Sequence, residues 1–137
     1  MKSVKILFIE DDDLLRSLFS EALTLDTERA YTILSALDLK SGKAILQSTQ
    51  PDIIVLDLIL PYDKAANQND LSEKMGLNLL REIKQDSRLK SVPVIIFSNL
   101  GDESIKKETL KSGATEHLMK SETTPEKFLE IIKRLLQ

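Results

Sequence analysis

The sequence predicts one α/β domain: a doubly wound sheet of five parallel strands in the order 2-1-3-4-5, covered by helices on both faces. Three observations lead there. A short apolar run followed by a helical pattern recurs five times along 137 residues, with no composition break that would mark a linker. The runs are apolar almost throughout rather than alternating, as in Ile53-Ile54-Val55-Leu56, which suits strands buried on both faces of a parallel sheet. Right-handed crossovers then leave few strand orders, and 2-1-3-4-5 puts the switch point between strands 1 and 3.

Bulk composition narrows the class further. Apolar residues make up 42% and charged residues 30%, as in a folded soluble protein rather than a disordered one. With 19 basic and 22 acidic residues the net charge is −3, so no basic excess points to direct nucleic-acid binding. There is no cysteine, which excludes disulfides and thiolate metal sites. The stretch after Met1 is too short and too charged for a signal peptide or membrane span, so a cytoplasmic location without membrane contact is expected.

Taken in order, Val4–Ile9 reads as strand 1 and ends at four acids, Glu10 to Asp13. Leu14, Leu15, Leu18, Phe19, Ala22 and Leu23 follow at helical spacing, with Asp12 and Asp13 suited to the helix N-terminus. Tyr31–Ala36 is strand 2, and Asp38 caps a helix carrying Leu39, Ala44, Ile45 and Leu46. Gly42 within that helix costs about 1 kcal/mol relative to Ala. Strand 3 is Ile53–Leu56, ending at Asp57. A polar stretch, about 62–75, separates it from a helix running from Met75 to Ile83, with Ser72 at its start and Leu77, Leu80 and Ile83 inward. Strand 4 is Val92–Phe97, with Pro93 near its start where a missing N–H is tolerable. The next helix, about Asp102–Ser112, closes at Gly113, a left-handed cap. His117–Met119 is strand 5, ending at Lys120. Thr124 and Pro125 open a last helix with Phe128, Leu129, Ile131, Ile132 and Leu135 on its apolar side.

In a 2-1-3-4-5 sheet the C-terminal ends of strands 1, 3, 4 and 5 are neighbours. Glu10, Asp11, Asp57, Ser98 and Lys120 therefore converge on one edge, where ligands of open α/β sheets bind. Alone, Asp57 fits a turn aspartate and Lys120 a solvated lysine; it is their joint placement that matters. Three close carboxylates repel unless a cation neutralises them, and a hard divalent ion with oxygen ligands, Mg²⁺ or Mn²⁺, suits that set. A lysine and a hydroxyl opposite are arranged to hold phosphoryl oxygens. Asp57, between the ion and those donors, is then a nucleophile for phosphoryl transfer that gives an aspartyl phosphate.

Four segments carry a family resemblance: Ile9 to Arg16 (Ile-Glu-Asp-Asp-Asp, then Arg16), Asp52 to Pro61, Val92 to Ser98, and Gly113 to Lys120. Together they resemble a response-regulator receiver domain of two-component signal transduction, chemotaxis-receiver-like, over essentially the whole of residues 1–137. The resemblance implies a flavodoxin-like fold and a phosphorylation-dependent switch with Asp57 as phosphoacceptor. It implies that Mg²⁺ is held by Glu10 through water, by Asp11 and Asp57, and by the backbone carbonyl of Ile59. Ser98 and Lys120 would contact the phosphoryl oxygens, and Ser98 and His117 are the switch candidates. The implied donor is a histidine kinase or histidine phosphotransfer protein. The implied output or dimer surface is the face of helix 4, strand 5 and helix 5.

The sequence departs from the family pattern at four places. Fourteen residues stand between Pro61 and Gly76, where the family has only a few; this loop either shields Asp57 or is a tolerated surface insertion. His117 occupies a position that is usually Tyr or Phe, and either swings as they do or is simply an edge-strand histidine that titrates near neutrality. Lys120 precedes Ser121 rather than the family's cis proline, so that bond is either trans with a different loop or cis with retained strain. Ile59 and Leu100, two residues beyond Asp57 and Ser98, cannot orient an attacking water, which predicts slow autodephosphorylation. With only Gln137 after Leu136, a stand-alone receiver without an effector is expected, not an enzyme in the ordinary sense. Two other readings compete. A Mg²⁺-dependent phosphatase would want an acid where Ile59 stands, and a receiver-like scaffold that takes no phosphate would not need the full set of acids, hydroxyl and lysine.

Overall fold

The computed structural model describes residues 2–63 and 73–137. The elements alternate without exception: β1 (Lys2–Ile9), α1 (Asp13–Ala22), β2 (Arg29–Ala36), α2 (Leu39–Ser48), β3 (Ile53–Leu56), α3 (Glu73–Gln85), β4 (Val94–Ser98), α4 (Glu103–Lys111), β5 (Glu116–Met119) and α5 (Pro125–Leu135). Short 3₁₀ turns follow α1 (Leu23–Leu25) and β5 (Lys120–Glu122). All five strands are parallel, in the order β2-β1-β3-β4-β5, as the apolar runs and crossover rule predict.

Strand alternation splits the core into two layers. Leu7, Ile9, Ile54, Leu56, Val94 and Ile96 face Leu39 and Leu46 of α2 and Leu77, Leu80 and Ile83 of α3. Ile6, Phe8, Ile53, Val55, Ile95 and Phe97 face Phe19 of α1 and Phe128, Ile131 and Ile132 of α5. All four phenylalanines of the chain, Phe8, Phe19, Phe97 and Phe128, meet in this second layer with ring centroids 4.9 to 6.3 Å apart.

The expected caps at Asp12, Asp38 and Thr124 accept from the backbone N–H three residues on, and Pro125 opens α5. Asp102, read as the first residue of its helix, caps α4 in the same way. Gly113 holds φ +109°, the left-handed conformation that ends the turn after α4. Gly42 in α2 is buried, and a Cβ there would press on Ile9 at 2.8 Å, so the helix-weakening glycine permits close packing on β1. The loop after β3 docks on the N-terminus of α2: Leu39 and Lys40 donate their N–H groups to the Pro61 and Tyr62 carbonyls at 3.1 and 2.7 Å.

Several expectations need correction. Strands β1 and β2 begin earlier, at Lys2 and Arg29, because ladder hydrogen bonds extend past the apolar run into residues whose side chains reach solvent. Val92 and Pro93 lie outside β4: the Val92 N–H bonds the Leu89 carbonyl in a turn, although its side chain is buried. Leu14 and Leu18 do not face the core; they are 81% and 49% exposed on the outer side of α1. No peptide bond among the described residues is cis, so Lys120–Ser121 is trans and opens a 3₁₀ turn in place of a cis loop. The expected helix start at Ser72 and the core of the polar loop, 64–72, lie outside the described residues.

Candidate functional site

Register brings the site together. Ile9 of β1 pairs with Leu56 of β3, so Glu10 and Asp57 each stand one residue past the same rung. The ladder continues under them: the Asp57 N–H donates to the Ile9 carbonyl at 3.2 Å, and the Glu10 N–H to the Ala36 carbonyl at 2.9 Å. Ser98 ends β4 opposite Met119, and Lys120 follows directly. Backbone pairing thus gathers residues separated by more than a hundred positions at one sheet edge.

Lys120 lies between the two buried acids. Its Nζ is 2.7 Å from Asp57 Oδ2 and 2.6 Å from Glu10 Oε1. The Ile59 N–H donates to Asp57 Oδ1 at 3.1 Å, so both carboxylate oxygens of Asp57 are held. Glu10 accepts from the Asp12 N–H at 3.2 Å, and its carbonyl takes a hydrogen bond from the Arg16 guanidinium at 2.6 Å. Gly76 at the start of α3 approaches the Leu58 backbone so closely that a Cβ would stand 2.7 Å from it. The segment after Asp57 is therefore pinned from behind.

The electrostatics are those of a crowded anionic site. Burial pushes the Glu10 carboxyl up to about 7, against the Lys120 ammonium and together with the Asp57 charge. Burial likewise raises Asp57; Lys120 and the Ile59 N–H oppose that, and Asp11 adds to it. Burial opposes the charge on Lys120, yet the two carboxylates outweigh it and hold its ammonium above the usual lysine range. One oxygen from each of Glu10, Asp11 and Asp57 lies within 4.8 Å of the others, with Glu10 and Asp57 buried and Asp11 exposed. Such an all-oxygen, carboxylate-rich set fits a hard divalent cation, which would offset the negative charge gathered there.

Asp57 and Lys120 open on a cavity of about 300 Å³ that Ile59, Ser98, Asn99 and Leu100 complete. Ser98 is fully buried, and its Oγ accepts the Leu100 N–H at 3.1 Å. His117 is not at the cavity. It lies behind the β4–α4 loop, its Nε2 2.7 Å from the Leu100 carbonyl and its Nδ1 2.8 Å from Thr109 Oγ1 of α4. Thr109, wholly buried, escapes a reading of the sequence, where it is one hydroxyl on a lysine-rich helix. Its only sequence signal is its place one turn after Ile105 on the inward side.

An open parallel sheet with an acid cluster and a lysine at its switch-point edge defines the class; comparison with known proteins gives the family. Residues 6–133 match the model of the response regulator receiver domain, and the chain belongs to that family. It is 34% identical over 116 residues to the transcriptional regulatory protein KdpE of Staphylococcus aureus, covering 85% of this chain and 43% of that protein. It is 30% identical to the polar-differentiation response regulator DivK of Brucella ovis, covering 96% of this chain and 94% of the relative. This chain thus spans about half or less of some curated relatives and nearly all of others. Among solved structures, the Mn(2+)-bound form of response regulator Rcp1 superposes with a TM-score of 0.71 at 26% identity, covering 96% of this chain and 91% of Rcp1. A signal receiver domain from Clostridium thermocellum gives a TM-score of 0.80 at 19% identity over 98% of both chains, which speaks to the fold alone. The chain is therefore a receiver domain of the two-component type, consistent with phosphorylation-dependent signalling. No helix among the described residues is long and apolar enough to cross a membrane.

Proposed function

We propose that this domain is a switch thrown by phosphorylation of Asp57. The observation that carries the reading is the setting of that carboxylate. It stands at the mouth of a cavity of about 300 Å³, paired with Lys120 at 2.7 Å and grouped with Glu10 and Asp11. An Asp57 oxygen forms the new bond to phosphorus while the P–N bond of a phosphohistidine donor breaks. The electron pair leaves with the imidazole, which takes up a proton. The Ile59 N–H fixes the orientation of the carboxylate, and Lys120 balances the negative charge of the incoming phosphoryl oxygens. The Ser98 hydroxyl, whose oxygen already accepts from Leu100, keeps its proton available for a phosphoryl oxygen.

Glu10, Asp11 and Asp57 would hold Mg²⁺ or Mn²⁺, with the Ile59 carbonyl, and the ion would supply charge neutralisation for donor and carboxylate together. The Mn²⁺-bound relative supports that assignment. The donor is a histidine kinase or histidine phosphotransfer protein, and the output surface is formed by α4, β5 and α5. Incubation with acetyl phosphate and Mg²⁺ tests the reading. Intact-mass measurement is expected to show one added phosphoryl group, absent when the metal is chelated beforehand and absent in Asp57→Asn. Turnover of small phosphate esters would favour a phosphatase instead, and no uptake at all would leave a receiver-like scaffold.

A further inference from the structure

The sheet ends in two edge strands, β2 and β5. The Ala36 carbonyl of β2 accepts the Glu10 N–H at 2.9 Å, so Ala36 turns its backbone groups toward β1. Alternate residues of a strand point the same way. Ala30, Thr32 and Leu34 therefore bond β1, and Arg29, Tyr31, Ile33 and Ser35 turn their N–H and C=O groups outward. Among the described residues no hydrogen bond reaches these outward groups. Such a row is a template for a further strand unless the edge is short, charged, bulged or broken by proline. β5 is guarded in that way: it has four residues, and its Glu116 is tied to Arg134 of α5. β2 is not. It runs for eight residues without proline or glycine and pairs with β1 in unbroken register. Its one charge, Arg29, stands at its start and is paired with the buried Asp26 at 3.2 Å.

The edge is complementary to itself. An identical strand laid antiparallel pairs all four outward residues in one register only: Arg29 opposite Ser35 and Tyr31 opposite Ile33, about a twofold axis through Thr32. Each such pair exchanges two backbone hydrogen bonds, which leaves no outward group of either strand unmet. The side chains suit the same register. Tyr31 and Ile33 stand half-buried on the α1 side, beside a hollow of about 320 Å³ that Leu23, Thr24 and Asp26 also line. There Tyr31 of one copy meets Ile33 of the other, twice, and an aromatic beside a β-branched side chain is a favourable cross-strand pair. On the opposite side the exposed Thr32 meets its own symmetry mate, and the small, exposed Ala30 faces the larger Leu34. No like charges are opposed, since Arg29 faces Ser35.

We propose that β2 is a docking edge for a second copy of this chain, which adds antiparallel over Arg29–Ser35 and joins two five-stranded sheets into one of ten. β5 lies at the far edge of each sheet, so the faces of α4, β5 and α5 stay free in the pair. The contact uses none of Glu10, Asp11, Asp57 or Lys120, and it stands whether or not Asp57 takes a phosphoryl group. One strand edge is smaller than the about 1,200 Å² at which standard interfaces begin, so the pairing is reversible and belongs to chain concentrations of about 0.1–1 mM.

Sedimentation velocity and cysteine crosslinking test the contact and its register. The wild type should pass from monomer toward dimer between about 10 μM and about 1 mM. Thr32→Lys sets two ammonium groups against each other on the axis and should hold the chain monomeric over that range, as should Thr32→Glu. An equal mixture of the two variants should associate again, because opposite charges then meet. Thr32 is exposed, and far-UV circular dichroism like that of the wild type shows that each variant is folded. The chain has no cysteine, so Thr32→Cys carries a single thiol. Facing residues outside the hydrogen-bonded pairs have Cα atoms about 4.5 Å apart, within disulfide reach. Two copies of residue 30 would stand about 14 Å apart in the same register, out of reach. In a glutathione redox buffer Thr32→Cys should therefore form its intermolecular disulfide about tenfold faster than Ala30→Cys, or more. A wild type that stays monomeric at about 1 mM would overturn the proposal. So would association that Thr32→Lys leaves intact, which places the contact on another face such as α4, β5 and α5, or equal crosslinking of the two cysteine variants.

Discussion

Replacing Lys120 by Met should destabilise the protein by an amount that grows with pH. In the native fold the Lys120 side chain is 14% exposed, and its ammonium lies within 2.7 Å of two carboxylates, Glu10 and Asp57, that are 1% and 6% exposed. Methionine fills similar volume but leaves two buried acids without a counter-charge. Removing one partner of a buried ion pair costs about 3–5 kcal/mol. The acids limit that cost by protonating. Glu10 already stands at about 7 and Asp57 is raised, and loss of the ammonium lifts both further. Acids with folded pKa values above their unfolded ones oppose folding at high pH and cease to do so once protonated in both states. The loss should therefore be about 3 kcal/mol near pH 8 and under about 1 kcal/mol near pH 4. Urea unfolding followed by far-UV circular dichroism, with metal chelated, measures both. Added Mg²⁺ should recover part of the loss at pH 8 by supplying the missing charge. A loss equal at both pH values, or a gain in stability at pH 8, would refute the electrostatic description of the site.

Three further outcomes follow from the same structure. Phe128→Ala, which empties the centre of the four-ring cluster, should cost about 3–5 kcal/mol in urea unfolding while leaving the site residues in place. The Tyr31 hydroxyl donates to Asp26 at 2.5 Å and, with the Glu28 N–H and Arg29, holds that carboxyl at about 2. Because the folded pKa lies below the unfolded one, its contribution is present above about pH 4 and lost as pH falls toward 2. Tyr31→Phe should therefore lower the urea midpoint at neutral pH and approach the wild type at about pH 2; an equal deficit at both would argue for lost packing alone. Phosphorylated protein, freed of donor, should keep its phosphoryl group for minutes or longer by intact mass, since Ile59 and Leu100 line the cavity and their side chains offer no hydrogen bond to an attacking water. Loss within seconds would contradict this.

The sheet was largely legible because its signal is physical and local. Buried parallel strands must be apolar throughout, and Ile53–Leu56 or Ile6–Ile9 admit no other reading once helical patterns separate them. The caps at Asp12, Asp38 and Thr124 were equally plain, since a short polar side chain before a periodic run has one local use. Convergence of Glu10, Asp11, Asp57, Ser98 and Lys120 followed from strand order alone. What escaped was side-chain direction and long-range hydrogen bonding. Periodicity could not tell that the wide apolar stripe of α1 would turn Leu14 and Leu18 to solvent. Nothing in the spacing of Leu100, Thr109 and His117 announces that a helix, a loop and an edge strand meet at one imidazole. The trans Lys120–Ser121 bond was likewise open, because serine leaves both loop geometries available until the 3₁₀ turn is seen.

The central claim is that Asp57, and no neighbouring acid, takes the phosphoryl group. Borohydride reduction of protein phosphorylated by acetyl phosphate with Mg²⁺, followed by tandem mass spectrometry, addresses it most directly. Reduction of an aspartyl phosphate leaves homoserine in place of the aspartate. The structure predicts homoserine at position 57 and at no other acid of the cluster. Homoserine at Asp11, Asp12 or Asp13, with Asp57 intact, would contradict it.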